Sequence, residues 1–167
     1  MKTVIAIDSF KGSLTSLEAG DSAAAGIHRV FPEAECIVRP LADGGEGTVE
    51  ALITACNGRS VEISVTGPLG KPVFCRYGLI EKTHTAILEM SAAAGITLVP
   101  ERKRNPLFTT TYGVGEMIRD AIGKGCRHFI IGIGGSATND GGSGIYRPED
   151  FPHRIIFRSS VLEKFMK

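Results

Sequence analysis

Apolar and polar residues alternate along this chain in two rhythms. Val4 to Ile7 is a short run with no polar face. Such a run predicts a strand covered on both sides, as at the centre of a parallel sheet. The period then lengthens. Leu17, Gly20, Ala24, Ile27 and Phe31 recur at helical spacing and give a helix one apolar face. Thr15 with Glu18 is a capping-box pair, which places the helix start near Ser16, and Pro32 stops it. Cys36 to Val38 repeats the strand, ended by Pro40. Val49, Leu52, Ile53 and Cys56 repeat the helical face, with Asp43 and Glu46 as cap and box and Asn57-Gly58 as the stop. This order of strand, loop and helix, twice over, predicts a parallel Rossmann-like βα layer.

From Arg59 the period drops to two, with Val61, Ile63 and Val65 set against Glu62, Ser64 and Thr66. A Gly-Pro turn, a run from Val73 to Ile80, a second turn and a run from His84 to Met90 complete an antiparallel meander. Ser91 to Gly95 reads as a short helical turn and Asn105-Pro106 as extended chain. The threonines at 109–111 cap a helix that buries Val114, Met117, Ile118, Ala121 and Ile122 and ends at Gly123-Lys124-Gly125. Phe129 to Ile133 is the last strand. The expected fold class is α/β: a Rossmann-like portion of a first lobe over 1–60, then a second α/β lobe with antiparallel strands over 61–144. A divergent tail fills 145–167.

That tail differs in composition from the rest. All 21 glycines fall in residues 1–144, and the last 23 residues contain neither Gly nor Ala while holding three of the eight Phe. Arg154 to Lys167 is compatible with a short helix. A glycine loop after a parallel strand should open a long helix and then another strand. The chain ends before both can be built, so the expectation is a truncated sequence with a foreign or frame-shifted end.

Composition narrows the class of partner. Hydrophobic content of 43%, charged content of 22% and a net charge of +1 are those of a globular chain, with no field that would gather nucleic acid or anionic membrane. Arg102-Lys103-Arg104 reads as a solvated loop. The four cysteines form no C-x-x-C pair and no zinc spacing, and three sit in apolar surroundings that suit buried thiols. The N-terminal apolar run is too short for a signal peptide or a membrane span, so a reduced, cytoplasmic setting is expected.

Three loops follow strands and concentrate chemistry. The first holds Asp8, Ser9, Lys11, Gly12 and Ser13; the second runs from Asp43 through Gly44, Gly45 and Glu46 to Gly47; the third runs from Gly134 to Gly142. In an open parallel sheet, ligands bind beyond the carboxyl ends of strands, and all three loops occupy that position. Together they offer one cation, four carboxylates (Asp8, Asp43, Glu46, Asp140), hydroxyls and glycine N–H groups. That set suits phosphoryl transfer, where N–H groups and lysine hold phosphates and carboxylates hold Mg²⁺ or accept a hydroxyl proton. Plainer readings stand beside this one. Asp43 and Glu46 are equally a cap and its box partner, Lys11 a solvated lysine, and Ser13 and Thr15 caps. Ser136 and Thr138 read also as turn hydroxyls, and residues 139–142 as a plain turn, although four such residues after a buried strand argue against it. His28 and His128 read as structural. There is no Walker A pattern, and Gly132-x-Gly134-x-x-Ala137 is a weak dinucleotide fingerprint with helix-spoiling residues directly behind it.

Five blocks in order resemble the bacterial type I glycerate kinases: residues 7–13, 40–48, 66–70, 104–113 and 132–142. The resemblance covers residues 1 to about 144 and departs at Ile145, while family members are much longer. It implies a two-lobed enzyme that transfers the γ-phosphate of ATP, with Mg²⁺, to D-glycerate, giving 2-phosphoglycerate or 3-phosphoglycerate. On that basis Lys11 is expected to hold a phosphate or the glycerate carboxylate. Asp43 or Asp140 is expected to bind Mg²⁺ or take the proton of the attacking hydroxyl, in roles the sequence does not separate. Asp8, Ser9, Lys11, Gly12, Gly44, Gly45, Glu46, Gly134, Gly135, Ser136, Thr138, Asn139, Gly141 and Gly142 are the expected substrate and phosphate contacts. Two alternatives remain open: a catalytically inert fragment of such a kinase, and a dinucleotide-binding domain.

Overall fold

A computed structural model describes residues 1–10 and 13–146. Lys11, Gly12 and almost all of the expected tail, with its proposed helix, lie outside the described residues. Two sheets make up the architecture. Strand β1 (Lys2–Ile7) pairs in parallel with β2 (Glu35–Pro40), with Val4 opposite Ile37. Strands β3 (Arg59–Thr66), β4 (Pro72–Ile80), β5 (Thr85–Glu89) and β6 (His128–Gly132) form a second sheet in that order. Its first two pairings are antiparallel, and β5–β6 is parallel. The α/β class with a parallel layer and a meander is therefore as expected.

Helix α1 (Ser16–Val30) lies on β1 and β2. Its start is where the capping box puts it. The Thr15 hydroxyl accepts from the Glu18 N–H while the Glu18 carboxylate accepts from the Thr15 N–H at 2.8 Å. Helix α2 (Thr48–Cys56) packs across β4 and β5, on the second sheet. It ends at Asn57, whose φ of 53° is the left-handed conformation expected of an Asn-Gly stop. A short helix α3 (Met90–Ala94) and helix α4 (Tyr112–Gly123) lie on the sheet's opposite face. The core sits there, where Tyr77, Leu88, Val114, Met117 and Ile118 are buried. Tyr77 satisfies its hydroxyl by donating to Asp120 Oδ2 at 2.7 Å, as a buried phenol must.

Four expectations change. Val4 is 61% exposed and β1 pairs only with β2, so β1 is not a covered central strand among the described residues. Cys56 is exposed and does not belong to the buried face of α2; Cys75 and Cys126 are the buried thiols. Phe31, assigned to the apolar face of α1, is exposed. Asp43 and Glu46 do not form a cap and box on α2, because the N-cap position falls on Gly47, which has no side chain to offer the helix.

Candidate functional site

The second and third loops meet through their backbones. Gly134 N–H donates to the Gly44 carbonyl at 2.9 Å. A Cβ on Gly132 would stand 2.5 Å from the Gly44 carbonyl oxygen, and one on Gly134 would stand 2.7 Å from the Gly45 Cα. Neither neighbour is a flexible side-chain tip, so only glycine permits this approach. The glycines of the Gly132-Ile133-Gly134 stretch thus join two loops. They do not open a dinucleotide-type helix: residues 133–146 contain none.

Beside this junction lies a cleft of about 540 Å³, lined by Asp43, Gly45, Glu46, Glu89, Gly134 and Gly135 among others. Phe74 and Arg76 of β4 form part of its wall. A smaller neighbouring pocket of about 250 Å³ carries Ser9, Phe10 and Ser13 of the first loop and shares Glu46, Gly47, Glu50 and Arg76 with the larger one. The first loop reaches this position because β1 and β2 run in parallel and release their following loops at the same, carboxyl end of the sheet. Ser16 Oγ donates to the Leu41 carbonyl at 2.9 Å and fixes the start of α1 to the chain after β2.

The two aspartates the sequence leaves equivalent differ in their surroundings. Asp43 is exposed in the cleft wall. Its Oδ1 accepts from the Gly45 N–H at 2.9 Å, a tight local turn, and this replaces the expected cap on α2. Asp140 lies elsewhere, at the start of α4. Its Oδ2 accepts from both the N–H and the hydroxyl of Thr111, at 2.9 and 2.8 Å, and its Oδ1 from the Gly142 N–H at 3.0 Å. Partial burial pushes the Asp140 carboxyl up, but these bonds and one from the Gly144 N–H outweigh it and hold the group below its ordinary value. Thr111 is the N-cap residue of α4, as expected, yet its hydroxyl serves Asp140 rather than the helix.

The remaining expected contacts divide in the same way. Asp8 is half-buried and its Oδ1 accepts from the Ser9 N–H at 2.6 Å. Ser136 and Thr138 share a hydroxyl–hydroxyl bond of 2.8 Å, and the Thr138 N–H donates to Ser136 Oγ, which is the turn-hydroxyl arrangement. Asn139 is exposed, and Gly141 and Gly142 adopt positive φ in the turn that follows Asp140. None of residues 136–142 lines the cleft. Several glycine N–H groups already have protein acceptors: Gly45 on Asp43, Gly134 on Gly44 and Gly142 on Asp140.

Sequence reasoning missed Glu89. It ends β5, is buried, and lines the cleft. Its Oε1 accepts from the Val49 N–H at 2.7 Å, and Gly47 also donates a backbone bond to it, so it satisfies the first turn of α2 from the neighbouring sheet. Ser91 Oγ donates to Oε2 at 3.4 Å. Burial pushes its carboxyl up, the bonds from Val49, Ser91 and Gly47 pull it down, and the nearby Glu46 charge adds a small upward push; the balance is raised. The available signal was a carboxylate closing the otherwise apolar Ala86-Ile87-Leu88 run.

A Mg²⁺ ion that arrives with a nucleotide needs only one or two protein carboxylates, because phosphate oxygens and water fill its other positions. Among the described residues no group of three or more metal-binding side chains comes together. Asp43, with one oxygen in a local bond, and exposed Glu46 fit that limited demand; Asp140 has both oxygens accepting from protein donors, Thr111 and Gly142.

Comparison with known proteins gives the family. The model of the glycerate kinase family matches residues 3–148. A glycerate kinase from Haemophilus influenzae is 55% identical over 145 residues, covering 87% of this chain and 38% of the relative. A glycerate 2-kinase from Escherichia coli is 50% identical with the same coverage. A crystal structure assigned as glycerate kinase 2 from Salmonella typhimurium LT2 superimposes with a TM-score of 0.73 at 52% identity, over 87% of this chain and 39% of that one. The chain therefore spans well under half the length of these relatives, and over that span it belongs to the glycerate kinase family.

Proposed function

We propose that the cleft between the 43–47 and 132–135 loops serves Mg²⁺-ATP-dependent phosphorylation of D-glycerate, with 2-phosphoglycerate as product. The observation that carries this reading is the glycine-only junction of Gly132 and Gly134 with Gly44 and Gly45, which sets Asp43 in the wall of the cleft. The name of the Escherichia coli relative supports the 2-position over the 3-position. In this reading a loaded Mg²⁺ would be held by Asp43, assisted by Glu46, and would neutralise phosphate charge. Arg76, in the wall of both pockets and 3.6 Å from the Glu50 carboxylate, is, among the described residues, the cation of their otherwise acidic lining. Lys11 keeps the role the resemblance gives it, on a phosphate or the substrate carboxylate.

The chemistry asked of the chain is small. A glycerate hydroxyl gives its proton to a carboxylate, its oxygen bonds to the γ-phosphorus, and the bond from that phosphorus to the ADP oxygen breaks. Asp43 and Glu46 line the same cleft and divide the two tasks: where one holds the metal, the other is the carboxylate that takes the proton. Asp140 positions the third loop. A cytoplasmic site accords with this chemistry, and no helix among the described residues is long and apolar enough to cross a membrane.

Phosphorus NMR on the chain with Mg²⁺-ATP and D-glycerate tests the reading. ADP and 2-phosphoglycerate should appear together; ATP that neither turns over nor binds would overturn it. A second reading rests on the 38% share of the relatives' length: an inert portion that binds without turnover. Saturable Mg²⁺-ATP binding with no product would select it.

A further inference from the structure

Helix α2 begins without a cap of its own. Gly47 is the N-cap residue and offers no side chain, so the first N–H groups of the helix need an acceptor from elsewhere. Glu89 supplies it from the end of β5, forty positions along the chain from Val49. The register partner of Glu89 on β6 is Gly132, the residue whose missing Cβ admits the Gly44 carbonyl. The 43–47 loop is therefore gripped on two sides by this strand pair and its exit: at its front by Gly132 packed on Gly44 and by the Gly134 N–H just beyond β6, and at its back by the β5 carboxylate through Gly47 and Val49.

We propose that Glu89 is a positioning residue for the nucleotide site, holding the 43–47 loop, and with it Asp43, in register with Gly134 and Gly135. This rests on the function proposed above for the cleft. Glu89 acts through the backbone it holds. A carboxylate already bound to these N–H groups also takes the place an anion would occupy at the start of α2, so phosphate is received beside the helix end and not on it. Ser91, whose hydroxyl reaches Oε2, steadies the second oxygen.

The test compares the full chain with Glu89→Ala, Glu89→Gln and the exposed control Glu62→Gln, using amide hydrogen exchange and an NMR titration with Mg²⁺-ATP. In Glu89→Ala the Val49 and Gly47 amides should exchange roughly tenfold faster or more, the scale of one charge-assisted hydrogen bond. The acceleration should extend to Gly45, while Met117 and Ile118 in α4 stay protected. Mg²⁺-ATP affinity should fall at least about fivefold in parallel. Glu89→Gln keeps a carbonyl acceptor for Val49 and should recover part of both losses; Glu62→Gln should change neither. Unchanged exchange at Val49 in Glu89→Ala would overturn the proposal. So would faster exchange with undiminished Mg²⁺-ATP binding, which would make Glu89 a helix cap only. If the unsubstituted chain fails to bind Mg²⁺-ATP, the function of the cleft is refuted, and the reach of the exchange effect decides alone: acceleration as far as Gly45 supports the positioning role, and acceleration confined to Val49 refutes it.

Discussion

The 43–47 loop and the 138–144 loop have nearly the same composition, an aspartate among glycines after a strand, and the structure puts them to different uses. In the first, the backbone is fixed from outside, by Gly132 and Gly134 on one side and Glu89 on the other, and the aspartate is left facing a cleft. In the second, the aspartate itself does the fixing: Asp140 ties its own turn to Thr111 at the start of α4. In this chain the aspartate whose loop is held from outside keeps only a local bond, and the aspartate that holds its own loop has both oxygens engaged with the protein.

Substitutions can break this contrast, in descending order of their effect on stability. Asp140→Ala removes the acceptor for several partly buried donors and should cost about 3 kcal/mol, read as a lower urea midpoint. An unchanged midpoint would mean that Asp140 is not the tie. Gly132→Ala forces a methyl against the Gly44 carbonyl and should cost about 2 kcal/mol, with the amide shifts of 43–47 moving as a block. A silent Gly132→Ala would remove the backbone junction from the account.

Acid should separate the loops next. The Asp140 carboxyl is held below its ordinary value in the folded chain, so it contributes stability that is complete above the unfolded value of about 3.9 and fades as pH falls through the folded one. Amides at 140–144 should therefore lose protection only at the acid end of the carboxylate range, and Asp140→Asn should abolish that step. The smallest change in stability belongs to Asp43→Asn, within about 0.5 kcal/mol because the side chain is exposed and makes one local bond. Its effect should fall on Mg²⁺-ATP binding instead. Equal binding in the variant would end the assignment of Asp43.

Much of the fold was legible because its signals are local. The Thr15–Glu18 box, the Asn57-Gly58 stop and the alternation from Val61 to Thr66 each involve residues a few positions apart, and the structure has them where the pattern put them. The candidate site was legible as three loops, while the partners of each side chain in them were not. Asp43 looks like a cap until Gly47 is seen to occupy that position, and no local pattern shows that Asp140 is bonded to Thr111, 29 positions back in the chain. Glu89 was illegible for the same reason, since the N–H groups it serves lie on another element. Exposure of Val4 was equally beyond pattern reading, because an apolar run states what a strand prefers and not what covers it.

The most direct test of the central claim is a residue-resolved NMR titration of the chain with Mg²⁺-ATP. The account predicts that the largest saturable shifts fall on Gly44, Gly45, Gly134 and Gly135, with Asn139 to Gly142 moving little. Shifts concentrated on Asn139 to Gly142, or none at all, would contradict it.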